Sequence, residues 1–428
     1  MTTEIIKKAT KPIIGTVSLP GSKSMSNRAL IMAALANGKS VLTNMLFSDD
    51  SIACIKALEA CGVRIDVDKL NNQVTVFGVN GQFPNKNPSI YCHDAGTVTR
   101  FMLPVCATMN NQFHFSASKQ MQSRPIDDLL DVLETQGVEI NYEKEKGKMP
   151  LQMIACGLIG GEIEISSHKS SQFLSGLLMA LPLAKNDTVI KTTAKKILNY
   201  VDMTMKMMQS FGIKIQKQAE GQYRVFVNQH YQACDYTIEP DLSTASYFAA
   251  MAAATNGQMT LKHINRQTTL QGDVQFFDVL EKMGCEITDG ENEVTVKGSE
   301  KLKGLTVNMA NFSDTFMTLA CLSLFADKKT HITGIGHARL QESDRLDAIS
   351  SQLKKLGADI STTDDSITIN PISIEKLKNI PVDGCGDHRV AMSLSLVGLK
   401  LGNFQIIGAQ CVSKTCPDYF ERLKGLIV

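Results

Sequence analysis

The sequence predicts an α/β protein of two domains, each made of three pseudo-symmetric α/β repeats. Three observations carry that prediction. The chain has 428 residues, more than one ordinary core accommodates. A helix–glycine–strand unit recurs at a near-constant interval, and a second, small-residue helix alternates with it.

The first pattern is an amphipathic helix, a glycine, and a short strand: IKALEACGVRIDV, LLDVLETQGVEINY, TMKMMQSFGIKIQ, FFDVLEKMGCEIT and ISSQLKKLGADIS. Its glycines, Gly62, Gly137, Gly212, Gly284 and Gly357, lie 75, 75, 72 and 73 residues apart. Glycine after the last helical turn predicts a left-handed cap. A sixth helix, PDYFERLKGL, carries Gly425 in the same expected role, and there the chain stops. The second pattern is an Ala-rich, uncharged helix, a polar turn and a strand, as in NRALIMAALANGKSVLTNM and ASYFAAMAAATNGQMTLKHI. Without a polar stripe such helices are expected to be buried on nearly all sides. The joints between the groups of three repeats are expected around Leu19-Pro20 and Glu239-Pro240, because proline disfavours helix at the residue before it. That gives residues 21–239 as one domain and residues 1–20 with 240–428 as the other, with the active site expected in the cleft between them.

Composition narrows the function. Lys plus Arg is 44 and Asp plus Glu is 43, so no global charge attracts nucleic acid or an anionic membrane. The longest apolar runs, such as Leu177–Ala184, fall short of the ~18 residues a membrane helix needs. The N-terminus has no continuous apolar h-region, and eleven cysteines occur without a CxxC pair. Both features point to reduced thiols in a cytoplasm, and neither a zinc site nor a disulfide framework is expected.

Any bound anion must then be held by a local cluster. The entrances to the small-residue helices read GSKSMSNR, DAGTVTR, KSSQ, DLSTAS, NFSD and GDHR. N-capping favours the same residue types, and DLSTAS is read that way. Capping does not account for Lys23, Arg28, Arg100, Ser170, Ser171 and Gln172, or His388 and Arg389, at matching positions. Helix N-termini offer unpaired N–H groups and positive dipole ends, so this pattern predicts a small, highly charged, phosphate-bearing substrate. GSKSMSN lacks the GxxxxGK spacing of a P-loop, and no GxGxxG lies at a strand-to-helix turn. Outside the helix entrances, Arg124 precedes Pro125 at the expected start of its repeat's second-pattern helix. LQESDRL gathers Glu342, Asp344 and Arg345, and Lys414 lies before the last helix.

Read together, LPGSKSMSNRALIMAALA, AGTVTR, RPID, SSQFLSGLLMALPLA, ASYFAA, LQGDVQFFDVLEKMG, ESDRL, DHRVAM and SKTCPDYF resemble the 5-enolpyruvylshikimate-3-phosphate synthase family, in order from about residue 10 to the C-terminus. The resemblance implies the enolpyruvyl transferase fold, inverse α/β barrel-like, with two domains of three repeats. It implies transfer of the enolpyruvyl group of phosphoenolpyruvate to the 5-hydroxyl of shikimate 3-phosphate, with phosphate released and no metal or cofactor. Carried over residue by residue, Lys23, Gly96, Arg124, Gln172, Arg345, Arg389 and Lys414 correspond to the phosphoenolpyruvate clamp. Lys23, Ser24, Arg28, Ser170, Ser171, Gln172, Asp314 and Gln341 correspond to the shikimate 3-phosphate contacts. Asp314 and Glu342 correspond to the acid/base pair, assisted by Lys23. Nothing in the sequence calls for an oligomer, and a monomer is expected.

The chain departs from the family pattern in places. Asp94 stands where Asn is common, and Ile197, His337 and Gln341 replace Ser, Asn and Lys on the acceptor side; Phe101 replaces a usual Pro. Tyr200 is retained, and Lys195 or Lys196 could restore the missing charge. These departures keep a paralogue with another acceptor as the alternative. The sister enzyme that acts on UDP-N-acetylglucosamine has a reactive Cys before the equivalent Arg-Pro, whereas SASKQMQSRP has none. An RNA 3′-phosphate cyclase-like protein would call for a basic surface.

Overall fold

A computed structural model describes residues 2–166, 170–193 and 199–427. Lys169, Lys195, Lys196 and Ile197 lie outside the described residues. The chain divides into two units, Gly21–Ile238, and Met1–Pro20 with Glu239–Val428.

Two kinds of helix alternate along the chain. Lys23–Leu35, Gly96–Ala107, Ser171–Ala180, Leu242–Thr255, Phe316–Ser323 and His388–Leu401 are buried over almost their whole circumference. Asp49–Ala60, Asp127–Thr135, Asn199–Ser210, Gln275–Lys282, Arg345–Lys355 and Tyr419–Leu426 bury one face only. Gly62, Gly137, Gly212, Gly284 and Gly357 follow five of these amphipathic helices with φ of 91°, 88°, 83°, 103° and 92°, a region where a Cβ is strained. Gly425 differs from expectation. It lies inside Tyr419–Leu426 without a left-handed turn. A second correction concerns Arg124: the helix after it, Asp127–Thr135, is the amphipathic one of its repeat.

The sheets repeat one plan. In the unit Gly21–Ile238, Asn37–Thr43 pairs in parallel with Tyr236–Thr237 and antiparallel with Gln73–Val79, which pairs antiparallel with Arg64–Asp68. The sheets built on Asn110–Ser116 and Thr188–Thr192 follow the same order. Chain from beyond the third repeat thus completes the sheet of the first. In the other unit, Ile14–Ser18 lies parallel to Gln258–Lys262 and supplies the equivalent strand of the fourth repeat. In the sixth repeat Phe404–Ile407 pairs antiparallel with the N-terminal strand Thr3–Ile6 and in parallel with Val382–Asp383.

Buried polar side chains tie equivalent helices together. Thr318 Oγ1 lies 3.1 Å from Ser246 Oγ and 3.5 Å from Ser393 Oγ, across partners 72 and 75 residues away. The repeat interval thus puts one hydroxyl from each of three helices within reach of the next, satisfying groups that would be costly if buried alone. In the unit Gly21–Ile238, Gly176 allows Ser171–Ala180 to approach Gly96–Ala107, since a Cβ there would sit 2.3 Å from the Arg100 carbonyl oxygen. No helix among the described residues is long and apolar enough to cross a membrane. All eleven cysteines are free thiols.

Candidate active site

In the unit Gly21–Ile238 the cations flagged by the sequence stand at or near helix entrances. Lys23 is the first residue of its helix and is buried, with Nζ 3.4 Å from Asp50 Oδ2. Asp50 occupies the first turn of Asp49–Ala60, behind a Ser48–Ser51 capping box, where the helix dipole favours a carboxylate. Arg28, one turn into the first helix, donates from Nε to Thr204 Oγ1 at 2.7 Å and from Nη1 to the Ser24 carbonyl at 2.9 Å. Its guanidinium lies 4.7 Å from the centroid of Phe101, the residue that replaces the family's proline. Burial pulls the Arg28 pKa down to about 10, partly opposed by Tyr200.

The second and third repeats of this unit meet through Arg100. Its Nη1 donates to Gln172 Oε1 at 2.9 Å and approaches Ser170 Oγ at 3.4 Å, while Nη2 donates to the Pro125 carbonyl at 2.9 Å. Contrary to the expectation that capping does not account for it, Ser170 caps its helix by accepting from the Gln172 backbone N–H, and Ser171 opens that helix. Arg124 lies against Gly96: a Cβ built on Gly96 would be 2.8 Å from Arg124 Nη1. Glycine is therefore required here by close approach, with the guanidinium lying over the first residue of a helix.

In the other unit one arginine organises the cluster. Arg345 is buried and donates from Nη1 to Asp314 Oδ1 at 2.8 Å, from Nη2 to Glu342 Oε2 at 2.5 Å, and from Nε to Asp387 Oδ2 at 2.8 Å. Its Nη1 also donates to Gln341 Oε1. Arg389 Nη2 lies 2.8 Å from Asp314 Oδ2, and Lys414 Nζ lies 3.5 Å from Glu342 Oε1. Three carboxylates raise the Arg345 pKa further, against the effect of its burial. Asp314 sits in the turn Ser313–Thr315 that opens its helix. Glu342 precedes Arg345–Lys355, whose N-cap is Asp344; the Asp344 charge within LQESDRL is therefore a structural cap. His337 Nε2 pairs with Ser313 Oγ at 2.7 Å, and burial lowers its pKa, which favours the neutral ring.

Arg345, Arg389 and Lys414 each face a carboxylate. A cation held out of water needs a counter-charge, and the carboxylates provide it. Asp314 and Glu342 thus sit beside donors that an anion could also engage, and both can hold or release a proton there.

Several contributors were not singled out from the sequence. Asp387 is fully buried, caps His388–Leu401 by accepting from the Arg389 backbone N–H, and accepts from Arg345 and Ser343. Its only signal was its place in GDHR. Asp273, in LQGDV, accepts from Ser243 Oγ at 3.1 Å, and its burial and Asp314 raise its pKa to about 7. Asp50 carried no signal beyond a helix start. DLSTAS is a cap, Asp241 accepting from the Thr244 N–H at 2.7 Å. Among the described residues no group of three or more His, Cys, Asp or Glu is placed to hold a metal ion.

Comparison with known proteins gives a consistent result. A family model described as EPSP synthase (3-phosphoshikimate 1-carboxyvinyltransferase) matches residues 7–423. A 3-phosphoshikimate 1-carboxyvinyltransferase of Nostoc punctiforme is 37% identical over 99% of this chain and 98% of its own. A relative from Halalkalibacterium halodurans, named 3-phosphoshikimate 1-carboxyvinyltransferase 2, is 40% identical over 96% of this chain and 92% of its own. A solved structure of EPSP synthase from Acinetobacter baumannii superimposes with a TM-score of 0.85 at 25% identity, covering 100% of this chain and 98% of that one.

Proposed function

The chain belongs to the EPSP synthase family, and from that premise we propose which residues perform the reaction that it catalyses. That reaction transfers the enolpyruvyl group of phosphoenolpyruvate to the 5-hydroxyl of shikimate 3-phosphate and releases phosphate, a step of aromatic amino acid biosynthesis.

Protonation at the methylene carbon of phosphoenolpyruvate creates an oxocarbenium-like centre, which the 5-hydroxyl attacks as it loses its proton. The tetrahedral adduct then loses a methyl proton and its phosphate, leaving the enol ether. Asp314 and Glu342 act as the acid/base pair, with Lys23 assisting. Lys23, Gly96, Arg124 and Gln172 of one unit, and Arg345, Arg389 and Lys414 of the other, bind phosphoenolpyruvate. Lys23, Ser24, Arg28, Ser170, Ser171, Gln172, Asp314 and Gln341 bind shikimate 3-phosphate. The observation that supports these roles best is the alternation Lys414–Glu342–Arg345–Asp314–Arg389, in which every acid touches a cation that an anionic substrate would engage. The same reading takes the protein as a cytoplasmic monomer without a cofactor. Light scattering that reports a mass well above 46.8 kDa would refute the monomer.

Phosphate release from phosphoenolpyruvate, measured with a panel of acceptors, tests the assignment. Release is expected with shikimate 3-phosphate and not with UDP-N-acetylglucosamine. A paralogue with another acceptor is the second reading, favoured because Gln341 is neutral and its side-chain oxygen is engaged by Arg345. No release with millimolar shikimate 3-phosphate, together with release on a different acceptor, would establish it.

A further inference from the structure

Arg124 can bind an anion over Gly96 only if two separate stretches of chain are held in register, one ending at Gly96 and the other at Arg124. The first, Cys92 to Ala95, leads into Gly96–Ala107. The second contains the short helix Lys119–Gln122, followed by Ser123 and Arg124. They are joined at Ser118. The Ser118 hydroxyl donates to Asp94 Oδ1, and its backbone N–H donates to the His93 carbonyl at 3.2 Å. The same Oγ caps the short helix by accepting from the Met121 N–H at 3.2 Å. The Arg124 N–H then donates to the Met121 carbonyl at 3.1 Å, and Arg124 Nη1 rests 3.8 Å from Met121 Sδ. Asp94 is therefore linked to the Arg124 guanidinium through one hydroxyl and one methionine. On its other side, Asp94 Oδ2 lies 3.6 Å from His93 Nδ1.

We propose that Asp94 and Ser118 form a clasp that positions Arg124 over Gly96, and that Asp94 acts on phosphoenolpyruvate affinity only through Arg124. The inference rests on the reading of Arg124 as a phosphoenolpyruvate ligand. Two features of the geometry favour a positioning role. The hydroxyl that meets Asp94 is also the cap of the short helix, so losing the contact frees the start of the segment that ends at Arg124. The guanidinium also lies close over Gly96, where its Nη1 and Nη2 would be 2.8 and 3.0 Å from an added Cβ. A small displacement of the segment therefore displaces the charge. Because the contact needs only an acceptor at position 94, an amide serves as well as a carboxylate.

Steady-state phosphate release with the full-length protein, varying each substrate in turn, tests the clasp. Asp94→Ala and Ser118→Ala should each raise the Michaelis constant for phosphoenolpyruvate by about tenfold, the effect of one hydrogen bond to a charged group. The constant for shikimate 3-phosphate and the turnover number should stay within about twofold. The double variant should be no worse than Ser118→Ala, which already breaks the link to Asp94 and also removes the cap of the short helix. Asp94→Asn and Ser118→Thr, which keep the acceptor and the hydroxyl, should stay within about twofold of the wild type. Additive losses, losses shared by both substrates, or a tenfold loss in either conservative variant would overturn the clasp. Arg124→Ala separates the two ideas. If it raises the phosphoenolpyruvate constant while the clasp variants do not, the clasp is wrong; if it leaves that constant unmoved, the reading of Arg124 is wrong.

Discussion

Arg345 Nη1 donates to Asp314 Oδ1 at 2.8 Å, and the other oxygen of the same carboxylate meets Arg389 Nη2 at 2.8 Å. One acid therefore bridges two cations, and Glu342 does the same between Arg345 and Lys414. Each acid neutralises two cations of its cluster, and in the proposed mechanism each also moves a proton.

Glu342→Gln and Asp314→Ala should each lower turnover by roughly 10²-fold or more, the scale of a positioned acid or base. Michaelis constants should move far less. Asp314→Ala should also lower the melting temperature, because it leaves Arg345 and Arg389 without their shared counter-charge. Turnover near that of the wild type in either variant removes that residue from the acid/base pair.

Gly96→Ala places a methyl group within 2.8 Å of Arg124 Nη1. The guanidinium must withdraw, and the helix start itself tolerates alanine well. The Michaelis constant for phosphoenolpyruvate should rise about tenfold, with thermal stability almost unchanged. Equal weakening of both substrates would show that the methyl group acts on the helix instead of on the arginine.

Asp273 gives a pH signature. Its folded pKa, about 7, lies above the ordinary carboxylate value of 3.8 because of burial first and Asp314 second. Its carboxyl is therefore favoured as the neutral acid in the folded protein. That stabilisation is complete below about pH 4 and is lost as pH rises through 7. Asp273→Asn keeps the shape and removes the ionisation. Its unfolding free energy, from urea titrations, should fall less than that of the wild type between pH 5 and pH 8, by an amount on the order of 2 kcal/mol. Parallel profiles for the two proteins would refute the assignment.

Gln341→Lys tests the acceptor side. Gln341 can donate a hydrogen bond to a phosphate but brings no charge, and a charge-assisted contact is roughly twice as strong. The variant should lower the Michaelis constant for shikimate 3-phosphate several-fold. The constant for phosphoenolpyruvate should hardly change, because Arg345 keeps Asp314, Glu342 and Asp387 when it loses the Gln341 oxygen. Lys195→Ala and Lys196→Ala should raise the acceptor constant if these lysines supply the missing charge. No response in any of the three variants would place the phosphate elsewhere.

What the sequence determined by itself was whatever depends on near neighbours and on repetition. A glycine after an amphipathic helix, an uncharged Ala-rich helix and Ser, Asp or Gly at a helix entrance are short-range signals, and six recurrences made the repeat legible. The same short range explains the errors. Gly425 looks like its five counterparts but lies inside its helix, and the helix after Arg124 is the amphipathic one of its repeat. The tertiary structure alone decided which charges meet. Asp387 and Arg345 are 42 residues apart, and Arg100 and Gln172 are 72 apart. Nothing local marks either pair, because the contact exists only once separate elements have packed together. The third strand of the sixth sheet is a similar case: Thr3–Ile6, from the opposite end of the sequence, pairs with Phe404–Ile407, a contact that exists only after the intervening chain has folded.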